Sequence, residues 1–297
     1  QMKTLMMIEP CSFGFNEETA TNNYFQRNDV IVNAQEKALA EFGAFVKKLE
    51  AHDIEVLVVK DTPEPMTPDS IFPNNWISLH EGGFMVLYPM FANNRRKERK
   101  QTVIDAVKNS ITINEIVDLT HFEQTDQFLE GTGSMVLDRE NKIAYACISK
   151  RTDKDLFSTF CTKMGYTPIL FHAADQRGNK IYHTNVLMCM ASDYVVICLD
   201  TLYEEEEKKQ LLEQFKLTHK EVIEISQNQM EHFCGNMLQV RNSEGKPFLV
   251  MSTQAFTYLE PTQLKKLEAY QPIIHSDITT IETLGGGSAR CMMAELA

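Results

Sequence analysis

The sequence predicts an α/β fold: a five-bladed, pseudo-symmetric α/β propeller whose ring is closed by its N- and C-terminal strands. Three observations predict it. An order of helix, strand, loop and hairpin recurs along the chain. The last recurrence ends in a single strand, "CMMAEL", while a strand-like run at the start, "KTLMMIE", belongs to no unit of its own. Finally, the residues able to do chemistry stand in one equivalent loop of each unit, between the lone strand and the hairpin.

The first unit opens with "NAQEKALAEFGAFVKKLEAH", where Leu39, Phe42, Phe45, Val46 and Leu49 keep helical spacing, and continues with the β-rich "IEVLVV". After the polar loop "TPEPMTPDSIFPNN" comes the hairpin "WISLHEGGFMVLYPM", folded at Glu81-Gly82-Gly83. In the second unit "RRKERKQTVIDAVKN" reads as a helix with a solvated, charged start, "INEIVDL" as a strand and "SMVLDRENKIAYACI" as the hairpin beyond "EGTG". The third has "DKDLFSTFCTKMG", "TPILFHA", a loop through "KIYHTN" and the hairpin "VLMCMASDYVVICL". The fourth has "EEEEKKQLLEQFKL", "EVIEIS", "HFCGN" and "MLQVRNSEGKPFLVM". The fifth has "PTQLKKLEAYQ", "PIIHSDI", the loop "GGGSAR" and the single strand, which the N-terminal run is expected to pair. Each unit is read as a blade, so all five loops should meet at one end of the ring axis.

Composition narrows what such a site can serve. With 43% apolar and 24% charged residues, positions 2–297 read as one well-cored domain; Gln1, ahead of Met2, carries no role in this reading. Lys+Arg 29 against Asp+Glu 41 gives 29 − 41 = −12, and the basic residues are scattered, which argues against a nucleic-acid partner. No run of roughly 18 apolar residues and no secretory leader is present, so a cytoplasmic chain without a membrane partner is expected. The seven cysteines form no CxxC pair, and no Cys or His pair has zinc-ligand spacing. Neither a disulfide framework, nor a metal, nor another cofactor is expected.

The converging loops hold a thiol, an imidazole, carboxylates and amides. Cys291 needs a nearby imidazole or cation to attack as thiolate. Of the eight histidines, His183 alone lies in a strand-to-hairpin loop. Glu130, flanked by glycine in "LEGTGS", can orient that imidazole or bind a substrate N–H, with an exposed turn acid as the lesser alternative. Asp69 and Asn74-Asn75 stand in "PDSIFPNNW", which also reads as a turn with Asx hydrogen bonds. Asn185 follows His183 by two, so on an extended strand its amide lies beside the imidazole. The glycine run before Cys291 allows positive φ or close approach of the backbone to a ligand.

The order Asp loop, "EG" loop, "HTN" and late Cys resembles the pentein, or guanidine-modifying, superfamily, and within it an amidinotransferase-like, citrulline-utilisation hydrolase subgroup. The resemblance runs over essentially the whole chain. It implies Cys291 as nucleophile, His183 as general acid/base, Glu130 as its acidic partner and Asp69 as a binder of substrate nitrogen. "SKRTD" resembles the segment whose arginine holds a substrate carboxylate, which is Arg151 here. "NNRRKER" resembles a second such segment, matched by Arg95 or Arg96, of which Arg96 is taken. A small amino-acid substrate is then the expected partner, with a homo-oligomer left open.

Two positions depart from the pattern of arginine deiminases, which generally carry carboxylates where this chain has Asn75 and Asn185. A hydrogen bond to a charged group contributes about 1.5–3 kcal/mol, so the loss disfavours a cationic substrate unless Asp69 and Glu130 compensate. A neutral ureido group needs no such charges, and an amide offers an N–H donor for a developing oxyanion. The expected reaction is hydrolysis of citrulline to ornithine, ammonia and carbon dioxide. The alternatives are an arginine deiminase or dihydrolase, a dimethylarginine hydrolase, an amidinotransferase, and a binding protein that has kept the shell without the chemistry. Whether residues 16–26, "NEETATNNYFQ", fold over the site as a lid is also open.

Overall fold

The computed structural model describes residues 4–296, so the reading of Gln1 lies outside the described residues. Its strands form five three-stranded sheets. In the first, β1 (Thr4–Glu9) runs parallel to β2 (Val56–Lys60) after the long helix α1 (Ala34–Glu50). The second joins β3 (Ile77–His80), β4 (Phe84–Leu87) and β5 (Glu115–Asp118), with α2 (Gln101–Ser110) crossing between β4 and β5. The third contains β6 (Val136–Asp138), β7 (Ile143–Cys147), α3 (Lys154–Met164) and β8 (Thr167–Phe171). The fourth contains β9 (Met188–Met190), β10 (Tyr194–Ile197), α4 (Glu205–Leu217) and β11 (Glu221–Glu224). The fifth contains β12 (Leu238–Arg241), β13 (Pro247–Ser252), α5 (Pro261–Tyr270) and β14 (Ile273–Ser276). The last strand, β15 (Ala294–Leu296), pairs antiparallel with β1, Thr4 opposite Leu296 and Met6 opposite Ala294, so the two chain ends complete the first sheet.

The blade is therefore hairpin, helix, strand, and not helix, strand, loop, hairpin. Each lone strand lies parallel to the second strand of the hairpin before it, as a helical crossover requires. The strand-to-hairpin loops consequently join one sheet to the next, which is why they gather at one end of the ring.

Helix α1 buries Ala38, Phe42, Phe45, Val46 and Leu49, a face with the helical period. Leu39 falls outside that stripe and is 40% exposed, because Ala38 occupies its expected place against the sheet. The charged run before α2 departs further from expectation. It forms only the short turn Asn93–Arg96, and Arg95, Glu98 and Lys100 are buried. Lys100 Nζ donates to Asp61 Oδ1 (2.8 Å) and to the carbonyls of Thr62 and Pro65, while Arg95 pairs with Glu98 (2.8 Å). These ion pairs hold the segment inward and break the helix where solvation was expected.

Candidate active site

The five inter-sheet loops meet as the repeat requires. Asn74 Nδ2 of the first donates to Thr132 Oγ1 of the second (3.1 Å), and Glu130 of the second accepts from His183 of the third. Asn185 of the third and Asn236 of the fourth both reach Cys291 of the fifth. A narrow cavity lies among them, lined by Asp69, Asn75, Arg95, Arg151, His183 and Cys291 and roofed by Thr19 and Asn23.

His183 Nε2 lies 2.7 Å from Glu130 Oε1, and both side chains are buried. Glu130 Oε2 accepts from the Phe91 amide (2.9 Å), and Arg151 Nη1 stands 3.5 Å from Oε1. Burial pushes the Glu130 carboxyl up, but Arg151 and then His183 outweigh it and hold it down at about 2. Burial lowers His183 to about 4, against the opposing pull of Glu130. At neutral pH the carboxylate is thus ionised and the imidazole neutral. The proton between them sits on Nε2, which leaves Nδ1 as the nitrogen able to take one. Asn75 approaches that nitrogen: a Cβ added at Gly133 would lie 2.8 Å from His183 Nδ1 and 2.5 Å from Asn75 Nδ2.

Cys291 sits in the short turn Ala289–Met292, just ahead of β15 and not within it. Its Sγ accepts from Asn185 Nδ2 and Asn236 Nδ2, each at 3.4 Å. His183–Asn185 do not form a strand either; a 3₁₀ turn at Thr184–Val186 swings Asn185 away from the imidazole and onto the thiol. The amide beside the imidazole is Asn75. Asn236 was not singled out from the sequence, although it ends the loop "HFCGN" much as Asn75 ends "PNN".

Of the two uses expected of the glycine run, the positive φ is present at Gly286, and Gly285, Gly286 and Gly287 all line the cavity. Gly286 takes φ +67° at the end of the helix Thr279–Gly285, where a Cβ would strike Asn23 at 2.6 Å, and its carbonyl accepts from Tyr182 Oη at 2.9 Å. Gly131, beside Glu130, has φ +52° and no room for a Cβ, which would lie 2.3 Å from the Asn74 carbonyl. Gly131→Ala is therefore expected to lower stability by at least about 2 kcal/mol, read as a shift of the urea midpoint without change of slope.

Asp69 is buried, with Oδ2 taking Asn16 Nδ2 (2.9 Å) and Oδ1 without a hydrogen-bond partner among the described residues. Burial raises its pKa, against Arg95 and Asn16. Of the two neighbouring arginines, Arg95 faces the cavity, with Nη1 on Asn75 Oδ1 (2.7 Å) and Nη2 on the Phe72 carbonyl (3.0 Å). Arg96, the one expected there, turns away: its Nε donates to the Met90 carbonyl (2.8 Å) and its guanidinium stands beside Glu123 (3.4 Å). Arg151 lines the cavity, stacked on the Tyr182 ring at 4.7 Å, and donates to the Thr19 carbonyl (2.9 Å) and Asn22 Oδ1 (2.7 Å). Through these contacts residues 16–26 lie over the site. Among the described residues no group of metal-ligating side chains is found, and no helix is long and apolar enough to cross a membrane.

A thiol and a neutral, carboxylate-oriented imidazole on one cavity, at the meeting point of five sheets, fit a pentein hydrolase acting on carbon–nitrogen bonds other than peptide bonds. The family model described as N,N dimethylarginine dimethylhydrolase, eukaryotic, matches residues 9–297, and the chain belongs to that family. Comparison with curated proteins finds no match. Among solved structures, the N-terminal domain of ArgZ bound to product, "an arginine dihydrolase from the Ornithine-Ammonia Cycle in Cyanobacteria", is similar at TM-score 0.79 and 18% identity, over 100% of this chain and 98% of that domain. AgrE in ternary complex with ornithine and NAD+ has TM-score 0.77 at 17% identity, over 99% of this chain. A dimethylarginine dimethylaminohydrolase adduct with 4-chloro-2-hydroxymethylpyridine has TM-score 0.68 at 14% identity, over 100% of both chains. The chain spans 40% of full-length ArgZ and 39% of AgrE.

Proposed function

We propose that the protein hydrolyses a linear ureido amino acid, citrulline, to ornithine, ammonia and carbon dioxide. One observation carries this reading: among the described residues lining the cavity, the only carboxylate is Asp69, and it faces two guanidiniums, Arg95 and Arg151. Both arginines already hold a buried carboxylate of their own, Glu98 and Glu130, and burial raises the pKa of Asp69, so a neutral ureido group only has to place an N–H on the open Oδ1 of Asp69.

Cys291 gives its proton up toward His183 Nδ1 and attacks the ureido carbon. Charge gathers on the ureido oxygen, within reach of Asn75, which retains a second N–H beyond the one given to Asn74. His183 protonates the departing nitrogen, the C–N bond breaks, and a thiocarbamate remains on the sulfur. The imidazole then takes a proton from water, whose oxygen adds to the same carbon and releases the thiolate. The carbamic acid so formed falls to amine and carbon dioxide. Arg151 is the group for the substrate carboxylate, held in place by its contacts to residues 19 and 22.

Arginine is the second reading, favoured by the unpaired Asp69 oxygen and by the likeness to ArgZ. Mass spectrometry of products from citrulline, arginine and methylated arginines separates the two. Ornithine from citrulline alone is expected; consumption of arginine would overturn the choice, with citrulline as product marking a deiminase and ornithine a dihydrolase. The acid limb of kcat/KM is also expected near pH 4, where His183 gains a proton, and not near the usual imidazole value of about 6.5; a pH–rate profile in a constant-ionic-strength buffer reads it.

A further inference from the structure

We propose that Asn236 is a catalytic residue, which with Asn185 stabilises the negative charge that forms on the Cys291 sulfur as its proton leaves, from a side other than the substrate cavity. Both amides donate to Sγ at 3.4 Å, yet neither lines that cavity; Asn185 instead lines a separate one, with Thr132, Met188 and Arg290. The orientation of Asn236 is set independently of the sulfur. Its Nδ2 also donates to the Asn185 carbonyl at 3.0 Å, a contact that the amide oxygen could not make. One side chain thus pins the third loop and presents an N–H to the thiol.

The oxygens carry the argument further. Asn185 Oδ1 and Asn236 Oδ1 are both buried without a hydrogen-bond partner among the described residues. Buried amides that serve only packing normally satisfy their oxygens. Here two adjacent amides keep N–H on sulfur and leave oxygen unpaired, which fits a site shaped to receive negative charge on Sγ. The S–H bond breaks with its electron pair staying on sulfur, the proton leaves toward His183 Nδ1 on the cavity side, and the amide N–H groups meet the anion. A carboxylate at position 185 or 236 would face that anion with like charge. This gives the amide at 185, which does not line the substrate cavity, a reason other than substrate choice.

The proposal rests on Cys291 as nucleophile but on no particular substrate, so its deciding measurement uses none. Iodoacetamide labelling of the full chain, mapped by peptide mass spectrometry with exposed Cys11 as internal reference, gives the rate at Cys291 in wild type, Asn236→Asp and Asn236→Ala. Asn236→Asp keeps the shape and removes the donors. Cys291 alkylation is expected to slow by about tenfold to a hundredfold in both variants, Cys11 staying unchanged, with kcat falling in step and KM holding. An unfolded variant is recognised by uniform labelling of the buried cysteines, in which case Asn236→Ser, a smaller donor, is compared with wild type and an intermediate rate is expected. An unchanged Cys291 rate in a folded variant overturns the proposal, even where kcat falls. A wrong choice of citrulline appears only in the product assay and leaves the labelling result intact.

Discussion

Cys291→Ala is expected to abolish turnover, lowering kcat by at least about 10⁴-fold, while the protein stays folded and still binds its substrate. The magnitude follows from covalent chemistry: without the sulfur no other group in the cavity can take the ureido carbon through two easier steps. The structural cost is small by comparison. The removed atom accepts two long hydrogen bonds at 3.4 Å, and losing them leaves two amide donors unsatisfied, worth about 1–3 kcal/mol. Calorimetric titration of the variant with citrulline, beside rate measurements, separates the two effects. Ornithine formation at more than a thousandth of the wild-type rate would contradict the role given to Cys291.

Glu130→Gln is expected to cost roughly 10³ to 10⁴-fold in kcat and to destabilise the fold as well. The carboxylate accepts from His183, Phe91 N–H and Arg151 at once, with two oxygens and no proton of its own. A glutamine has one acceptor oxygen. If that oxygen serves Phe91, an NH₂ faces Nε2–H, and the imidazole must switch tautomer and lose the acceptor at Nδ1. Arg151, buried over Tyr182, also loses its counter-charge; breaking a buried pair in this way costs about 3–5 kcal/mol. Steady-state kinetics and a urea titration read the two parts. A variant of wild-type stability with less than a tenfold loss of kcat would mean that Glu130 is an ordinary buried acid.

Much of this site was legible before any coordinates, because five repeated units place their loops equivalently whatever the details of pairing. Closure of the ring by β1 and β15 followed from one missing strand and one surplus strand. The blade boundary did not follow, since parallel pairing of β4 with β5 across a helix leaves no mark in local periodicity. Nor did the choice between Arg95 and Arg96. Adjacent residues in a single turn point to different sides, and only the inward Glu98 partner decides which one is drawn to the cavity. Asn185 was assigned to the imidazole on the geometry of a strand; a 3₁₀ turn in its place carries it to the sulfur. Asn236 had a usable signal in its loop position. Its chemistry was hidden because an amide following glycine also reads as a turn.

The central claim is that Cys291 attacks the ureido carbon. Citrulline labelled with a heavy isotope at that carbon, mixed with the enzyme, quenched in acid during turnover and digested for peptide mass analysis, tests it most directly. The account predicts the labelled carbon on the peptide containing Cys291, and its absence from Cys291→Ala and from enzyme quenched after the substrate is spent. Turnover of citrulline with no label on that peptide, or with label on another cysteine, would contradict it.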